Sequence, residues 1–495
     1  MRNNVIFNYI GQLYITLTGI LILPMYLQYM GAEAYGLVGF FTLVQAWMSF
    51  LDLGMTPTLG REIARLKGNA SEHYRLVTVV NTLECIFLLM ALLIGGVLFL
   101  GRNWVATGWL SFDELPLETV TNAVAIIAVT VAVRWVSSIN RSGVNAFEHQ
   151  VWMNLIDIFV TTLRFPGSLL LIVLTDGSVM AFFYFQLAVV LVEVGVIRAK
   201  LRSLMPDGGS NARRFSAEEL RRVAPFALGI GYTGAVWVLL TQLDKLLLSN
   251  ILPLSEYGYF TLIATISSGL MMLSGPVNKA ILPRMTALLA AGQESDMIRV
   301  YRRATRLVVA IVAPVTIVIA LFPEAVVYTW TGSAEAAEWT APILPMFILG
   351  GGLLAVVSFQ YYLQYAHGIL RYHVVFNTVS VVINVPLITF AAFTYGAVGV
   401  AWVWLGFRAM SFLIWVPFIH HKFSPGLHFQ WLSKDVVPGL MIAILIAIGG
   451  KILVDVNVEM DRLILFATLS GFTLLAMITA MAVSMQDIIR SKFVG

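Results

Sequence analysis

Asn154-Leu-Ile-Asp-Ile-Phe-Val-Thr-Thr-Leu-Arg-Phe-Pro-Gly-Ser168 lies inside an apolar segment running from about Val151 to Leu174, so it sets an arginine near the middle of a membrane helix. A charge at that depth costs roughly 2.5–3.5 kcal/mol on insertion scales, so Arg164 should face protein or a water-filled cavity and not lipid. Asp157 lies seven residues earlier, almost two turns back on the same face. Pro166-Gly167 loosens the helix just past the charge. Two readings are open: a buried Asp-Arg pair that locks neighbouring helices, or a cationic group serving a cavity. Ionisable residues inside a membrane are functional candidates by default, which favours the second.

Working outward, the 495 residues are 59% hydrophobic and only 12% charged, whereas soluble domains carry about a quarter charged residues. The chain reads as an all-α polytopic membrane protein. At about 20 apolar residues per crossing, some fourteen spans are expected, near 5–29, 37–57, 78–101, 119–138, 151–174, 179–198, 224–250, 257–280, 304–322, 343–363, 374–393, 398–419, 436–454 and 462–484. The first follows Met1 to Asn4 without a small-residue cleavage pattern and reads as a retained helix. The single cysteine, Cys85, cannot form an intramolecular disulfide.

Of the 31 basic residues, 23 fall in the termini and even-numbered connections, among them Arg61, Arg65, Arg141, Arg202, Arg302 and Arg490, while the odd-numbered connections hold Arg102, Lys451 and Arg462. The positive-inside rule then puts both termini in the cytoplasm. The net charge of +4 is concentrated in these loops and gives no sign of nucleic-acid binding. Outward loops are too short for an external catalytic domain, and no G-x-x-x-x-G-K-[ST] phosphate loop occurs. His420, His421 and His428 lack a partner set for a metal. No enzyme activity, cofactor or metal is therefore expected.

The chain also repeats. With an offset of 222, Ala34-Tyr35-Gly36 falls on Glu256-Tyr257-Gly258 and Thr58-Leu59-Gly60 falls on Ala280-Ile281-Leu282. This predicts two six-helix lobes in parallel pseudo-repeat: an N-lobe over 1–200, a cytoplasmic linker over 201–223, a C-lobe over 224–420, and two extra helices with the C-terminal tail over 421–495. Substrate in such repeats binds between the halves near the bilayer midplane. The linker looks flexible up to Asn211, then starts a basic helix at Ser216, with Glu219 completing a capping-box spacing.

Five basic residues lie within or at the ends of spans: Arg134, Arg164, Lys245, Lys279 and Arg408. Arg408, near the middle of span twelve, matches Arg164 in depth. Arg134 is nearer the cytoplasmic end and could snorkel, and Asp244 beside Lys245 is expected to serve a different neighbour. Asn4, Asn8, Gln12 and Thr16 form a polar stripe on span one, a cavity wall or interhelical glue. Asp52, Asp157, Glu193 and Asp244 are candidates for ion pairing or for carrying a coupling proton.

Asn8-Tyr-Ile-Gly-Gln12, Pro24, Gly31-Ala-Glu-Ala-Tyr-Gly36, Leu51-Asp-Leu-Gly54 with Arg61-Glu62, and Asp244-Lys245 with Glu256-Tyr-Gly258 and Pro283-Arg284 resemble the polysaccharide transporter family, and more narrowly its Wzx-type O-antigen flippases. The resemblance implies the fold of the multidrug/oligosaccharidyl-lipid/polysaccharide exporter superfamily, with two lobes around a central cavity. It implies a substrate as well, an undecaprenyl-pyrophosphate-linked oligosaccharide such as an O-antigen repeat unit for lipopolysaccharide, moved to the periplasmic leaflet of the bacterial inner membrane by alternating access. On that footing Arg164 and Arg408 attract the headgroup, Lys245 and Arg134 are secondary sites, and Asn8 and Gln12 contact sugar hydroxyls. The partners it allows are membrane lipids, a coupling ion (H+ or Na+) and other polysaccharide-assembly membrane proteins. The alternative within the same superfamily is a multidrug or other small-molecule exporter.

Overall fold

The computed structural model describes the backbone of residues 2–209, 211–454, 456 and 458–493, and side chains between 11 and 484 except at 13, 210, 279, 455 and 457. Asn8 and Lys279 therefore lie outside the described side chains. The protein is all-α, with twelve helical segments long and apolar enough to cross a membrane among the described residues. Two features account for the difference from fourteen. Arg2–Met30 has a described apolar stretch of only Tyr14–Met30, and Arg371–Phe423 holds the eleventh and twelfth predicted spans joined end to end. Gly396 marks their junction, with φ 57 and ψ −144 inside the helix.

By internal contacts the chain divides into two compact units, Met1–Gly258 and Tyr259–Gly495. This division falls later than the linker, because the seventh predicted span packs with the first unit. The helices of that unit are α1 (Arg2–Met30), α2 (Ala32–Leu51), α3 (Met55–Leu66), α4 (His73–Leu100), the short α5 (Arg102–Trp104), α6 (Leu117–Ala146), α7 (Gln150–Thr162), α8 (Ser168–Leu174), α9 (Val179–Leu204) and α10 (Ala217–Ile251). α6 is the central one, packed on α2, α3, α4 and α9. Ala123, Ile127, Val131, Trp135 and Ile139, at intervals of about four residues, are buried there. The second predicted span ends sooner than expected. Leu53 and Gly54 turn the chain at positive φ, and α3 begins as a separate amphipathic helix where a basic connection was expected.

The linker expected over 201–223 is fastened rather than loose near its end. Arg213 and Ser216 donate their backbone N–H groups to Thr78 and Thr82 of α4 (3.0 and 3.0 Å). Ser216 caps α10 through the Glu219 N–H, and Glu219 binds Arg75 of α4 at 3.0 Å.

The repeat is visible at one contact. A Cβ on Gly36 would overlap the Leu254 carbonyl, and a Cβ on Gly258 would come within 2.8 Å of the Ala32 carbonyl oxygen. The offset of 222 maps Ala32 onto Leu254 and Gly36 onto Gly258, so the contact is reciprocal. Glycine is required on both sides because backbone meets backbone.

The second unit comprises α11 (Leu254–Ala290), α12 (Glu294–Leu321), α13 (Pro323–Thr331), α14 (Ala334–Thr340), α15 (Leu344–Val357), α16 (Phe359–Ala366), α17 (Arg371–Met410), α18 (Val416–Phe423), α19 (Leu427–Trp431), α20 (Val437–Leu453) and α21 (Arg462–Phe493), with α11 starting at the end of the first. Here α12 is central, touching α15, α20 and α21. Ile317 and Val318 of α12 and Phe322 just beyond it share one core with Ala443 and Ala447 of α20 and Leu465 and Leu469 of α21, so the two extra helices pack into this unit.

Candidate functional site: a cationic cavity in the first unit

α7 and α8 are joined by a π-helical turn, Leu163–Gly167. Pro166 has no N–H to give and its ring crowds the preceding turn, so the helix widens there. Side chains satisfy the carbonyls this leaves. Tyr26 of α1 donates its hydroxyl proton to the carbonyls of Arg164 (3.1 Å) and Phe165 (2.9 Å), and Gln186 of α9 donates to Arg164 O (2.9 Å) and Ser168 Oγ (3.0 Å). α1 is further tied to α7 by a 2.6 Å hydrogen bond between Tyr14 and Thr162. The widened turn is thus held from two sides, and Arg164 projects from it at a fixed position.

Arg164 lines a cavity of about 650 Å³ enclosed by α1, α2, α6, α7 and α9. α6 contributes Arg134, Ser138 and Arg141, spaced four and three apart and so on one face. α2 contributes Gln45, α7 contributes Asp157, and α9 contributes Gln186 and Glu193 one heptad apart.

The charges are arranged around Glu193, whose side chain is 2% exposed. It receives Arg164 Nη2 at 2.7 Å on one oxygen and Arg141 Nη2 at 2.9 Å on the other. Arg141 also binds Asp157 at 2.6 Å. Arg134 donates to the Gln45 carbonyl oxygen and has no carboxylate in ion-pair range among the described residues. Three guanidinium groups against two carboxylates leave the cavity at +1 with ordinary ionisation. Arg164 Nε and Gln186 Oε1 are buried there with no hydrogen-bond partner among the described residues.

Asp157 and Arg164 do share this cavity, as their spacing predicted, but they are not each other's ion-pair partners: Arg141 holds Asp157, and Glu193 holds Arg164. Arg141 itself was read only as a topogenic charge, because span four was expected to end near 138. α6 continues to Ala146 and carries Arg141 along the cavity wall.

Other predicted residues lie elsewhere. Gln12 is exposed on α1 and absent from the cavity lining. Lys245 Nζ reaches Thr241 O at 2.7 Å and both oxygens of the buried Asp244 at 3.2 and 3.3 Å, so these neighbours serve each other, contrary to the separate partners expected. Asp52 accepts hydrogen bonds from the N–H and hydroxyl of Thr56 at the start of α3. Burial pushes its carboxyl pKa up, and those bonds pull it partly back. Arg408 is buried in the second unit, its guanidinium 4.5 Å from the Trp404 ring and 5.5 Å from that of Phe407.

Helices around a charged cavity, twelve of them long and apolar enough to cross a membrane among the described residues, define a multi-pass membrane protein. The chain belongs to the polysaccharide biosynthesis protein family, whose model matches residues 1–289. The MatE family model matches residues 231–390. Among solved structures, the lipid II flippase MurJ in its inward closed conformation is similar at 12% identity and a TM-score of 0.68, over 99% of this chain and 100% of that one. An inward-facing multidrug resistance MATE transporter of the MOP superfamily is similar at 15% identity and a TM-score of 0.59, over 83% and 97%. The MATE multidrug transporter DinF-BH gives 14% and 0.57, over 86% and 96%. At these identities the likeness is one of fold. No curated protein matches the sequence.

Proposed function

We propose that the protein is a flippase that carries an undecaprenyl-pyrophosphate-linked oligosaccharide, of the O-antigen repeat-unit kind, from the cytoplasmic to the periplasmic leaflet of the bacterial inner membrane. The observation that carries this reading is the cavity's charge: three arginines against two carboxylates, with Arg134 bonded to the amide of Gln45 and no carboxylate within ion-pair range of it among the described residues. Guanidinium groups match phosphoryl oxygens in geometry and form charge-assisted hydrogen bonds with them. A volume of about 650 Å³ lies within the roughly 300–1,000 Å³ typical of small-molecule sites. It suits a diphosphate with its first sugars, while the polyprenyl tail stays in lipid. Access to the cavity would switch between the two faces of the membrane, and the distribution of Lys and Arg supports cytoplasmic termini.

The match to the MatE model supports a second reading, export of small cationic compounds. The ion pairs argue against it, since both cavity carboxylates are already held by arginine and a cation would meet a net positive wall. Proteoliposomes separate the two. Flipping of a fluorescent undecaprenyl-diphosphate disaccharide, lost in Arg134→Ala and Arg164→Ala, is the expected result. Transport of a cationic dye, unaffected by both substitutions, with no flipping of the lipid, would overturn the proposal.

A further inference from the structure

Two of the three arginines on the cavity wall are already held by one carboxylate. Glu193 is buried, with Arg141 Nε and Nη2 at 3.1 and 2.9 Å from one oxygen and Arg164 Nη2 at 2.7 Å from the other. One carboxylate thus bridges two guanidinium groups, as the oxygens of a phosphate would. We propose that Glu193 is an internal counter-anion, displaced from Arg141 and Arg164 by the diphosphate of the substrate, and that it takes up one proton as it is displaced. This rests on the reading of the cavity as a diphosphate site.

The proton follows from burial. Glu193 is 2% exposed, so without its two cations it would be an uncompensated charge in a low-dielectric pocket, and a carboxylate so placed neutralises. Asp157 is 26% exposed and stays hydrated when Arg141 turns to the phosphate, so it needs no proton. The charged and titratable groups of the cavity wall are Tyr26 from α1, Arg134 and Arg141 from α6, Asp157 from α7 and Arg164 from the π turn; α2 supplies only neutral side chains. Asp157 pairs with Arg141 and is not in ion-pair range of Arg164 among the described residues. The exchange breaks no bond in the substrate. A proton enters from water on the side to which the cavity is open, reaching the cluster past Arg141, which is 29% exposed. It leaves when the arginines reclaim the carboxylate after release. Arg134, bonded to Gln45 and with no carboxylate in ion-pair range among the described residues, meets the incoming phosphate first.

The test is calorimetry of the full chain in nanodiscs, titrated with an undecaprenyl-diphosphate disaccharide in buffers of differing ionisation enthalpy. A diphosphate diester does not titrate near neutral pH, so any proton taken up belongs to the protein. The expected result is an uptake of about one proton per lipid bound, with affinity weakening up to ~tenfold for each pH unit raised. Glu193→Gln should abolish both the uptake and the pH slope, bind the lipid ~tenfold or more tightly, and slow flipping because release has lost its competitor. A merely structural Glu193 would leave the proton count at zero in the wild type, and that result overturns the proposal while leaving the flippase reading intact. So would weaker binding by a folded Glu193→Gln. If that variant does not fold, the wild-type proton count decides alone. Failure of the wild type to bind the lipid at all would overturn the flippase reading, and this inference with it.

Discussion

Each unit contains a buried carboxylate held by two arginines, and the surroundings differ. In the first unit Glu193 is shared by Arg141 and Arg164 on the wall of an open cavity, with a second carboxylate and a third arginine beside it. In the second, Asp435 is fully buried and accepts two hydrogen bonds from Arg302 (2.6 and 3.2 Å), with Arg306 Nε in ion-pair range at 3.3 Å. Those arginines lie four apart on α12, and Asp435 lies in the π turn Leu432–Val436 that opens α20. The buried Trp431 donates to Thr305 at 3.1 Å, and Tyr301 meets the buried His420 at 2.7 Å, closing the space around the pair. The same chemistry thus stands in two settings. Around Asp435 it ties α12 to the start of α20, with Arg306 reaching a cavity whose wall is otherwise largely apolar, while around Glu193 it lies on a wall shared with further charged groups, where a diphosphate can compete for the arginines.

The largest expected effect tests the packed cluster. Asp435→Ala leaves two partly buried arginines without their anion, which should cost about 3–5 kcal/mol and appear as a marked fall in Tm. If Asp435→Ala instead kept its Tm and lost flipping, the contrast between the two clusters would be broken. Next comes Arg164→Ala, which should cut flipping at least tenfold while costing only about 1–3 kcal/mol, because Arg141 stays on Glu193. Equal destabilisation in the two variants would show the first cluster to be a brace like the second.

Arg134→Gln sharpens the comparison further. Its partner is an uncharged amide, so stability should change by only about 0.5–1.5 kcal/mol, while the apparent affinity for the lipid-linked sugar falls several-fold. The smallest effect belongs to an ion pair outside both units' interiors. Lys67 lies 2.7 Å from the exposed Glu148 and lowers its carboxyl pKa. A lowered folded pKa adds stability above the unfolded value that is lost as pH falls through the folded one. Solvent screening should make Lys67→Ala indistinguishable from wild type in melting curves across that acid range.

The spans were legible because each has to provide about 20 apolar residues whatever it packs against. Pro166-Gly167 marked the widened turn, and the cost of burying Arg164 pointed to a protein-lined space. The partners were not legible. Asp157 and Arg164 share a face by spacing, yet Glu193 reaches Arg164 from another helix, 29 residues along, and sequence spacing does not report which helix faces which. Arg141 was missed because hydropathy ends a span where charge begins, while α6 continues as a helix past that point. Lys245 and Asp244 were expected to part company because adjacent residues diverge around a helix, but a lysine stem is long enough to bend back.

The crossing of Gly36 and Gly258 has a consequence for inheritance. Each repeat contributes the glycine that the other's backbone leans on, so neither copy can drift at that position without harming its twin. One contact thus places two sites under a single steric constraint. In a saturation library, residues 36 and 258 should therefore be intolerant to the same degree, and no second-site change at one should rescue a side chain at the other.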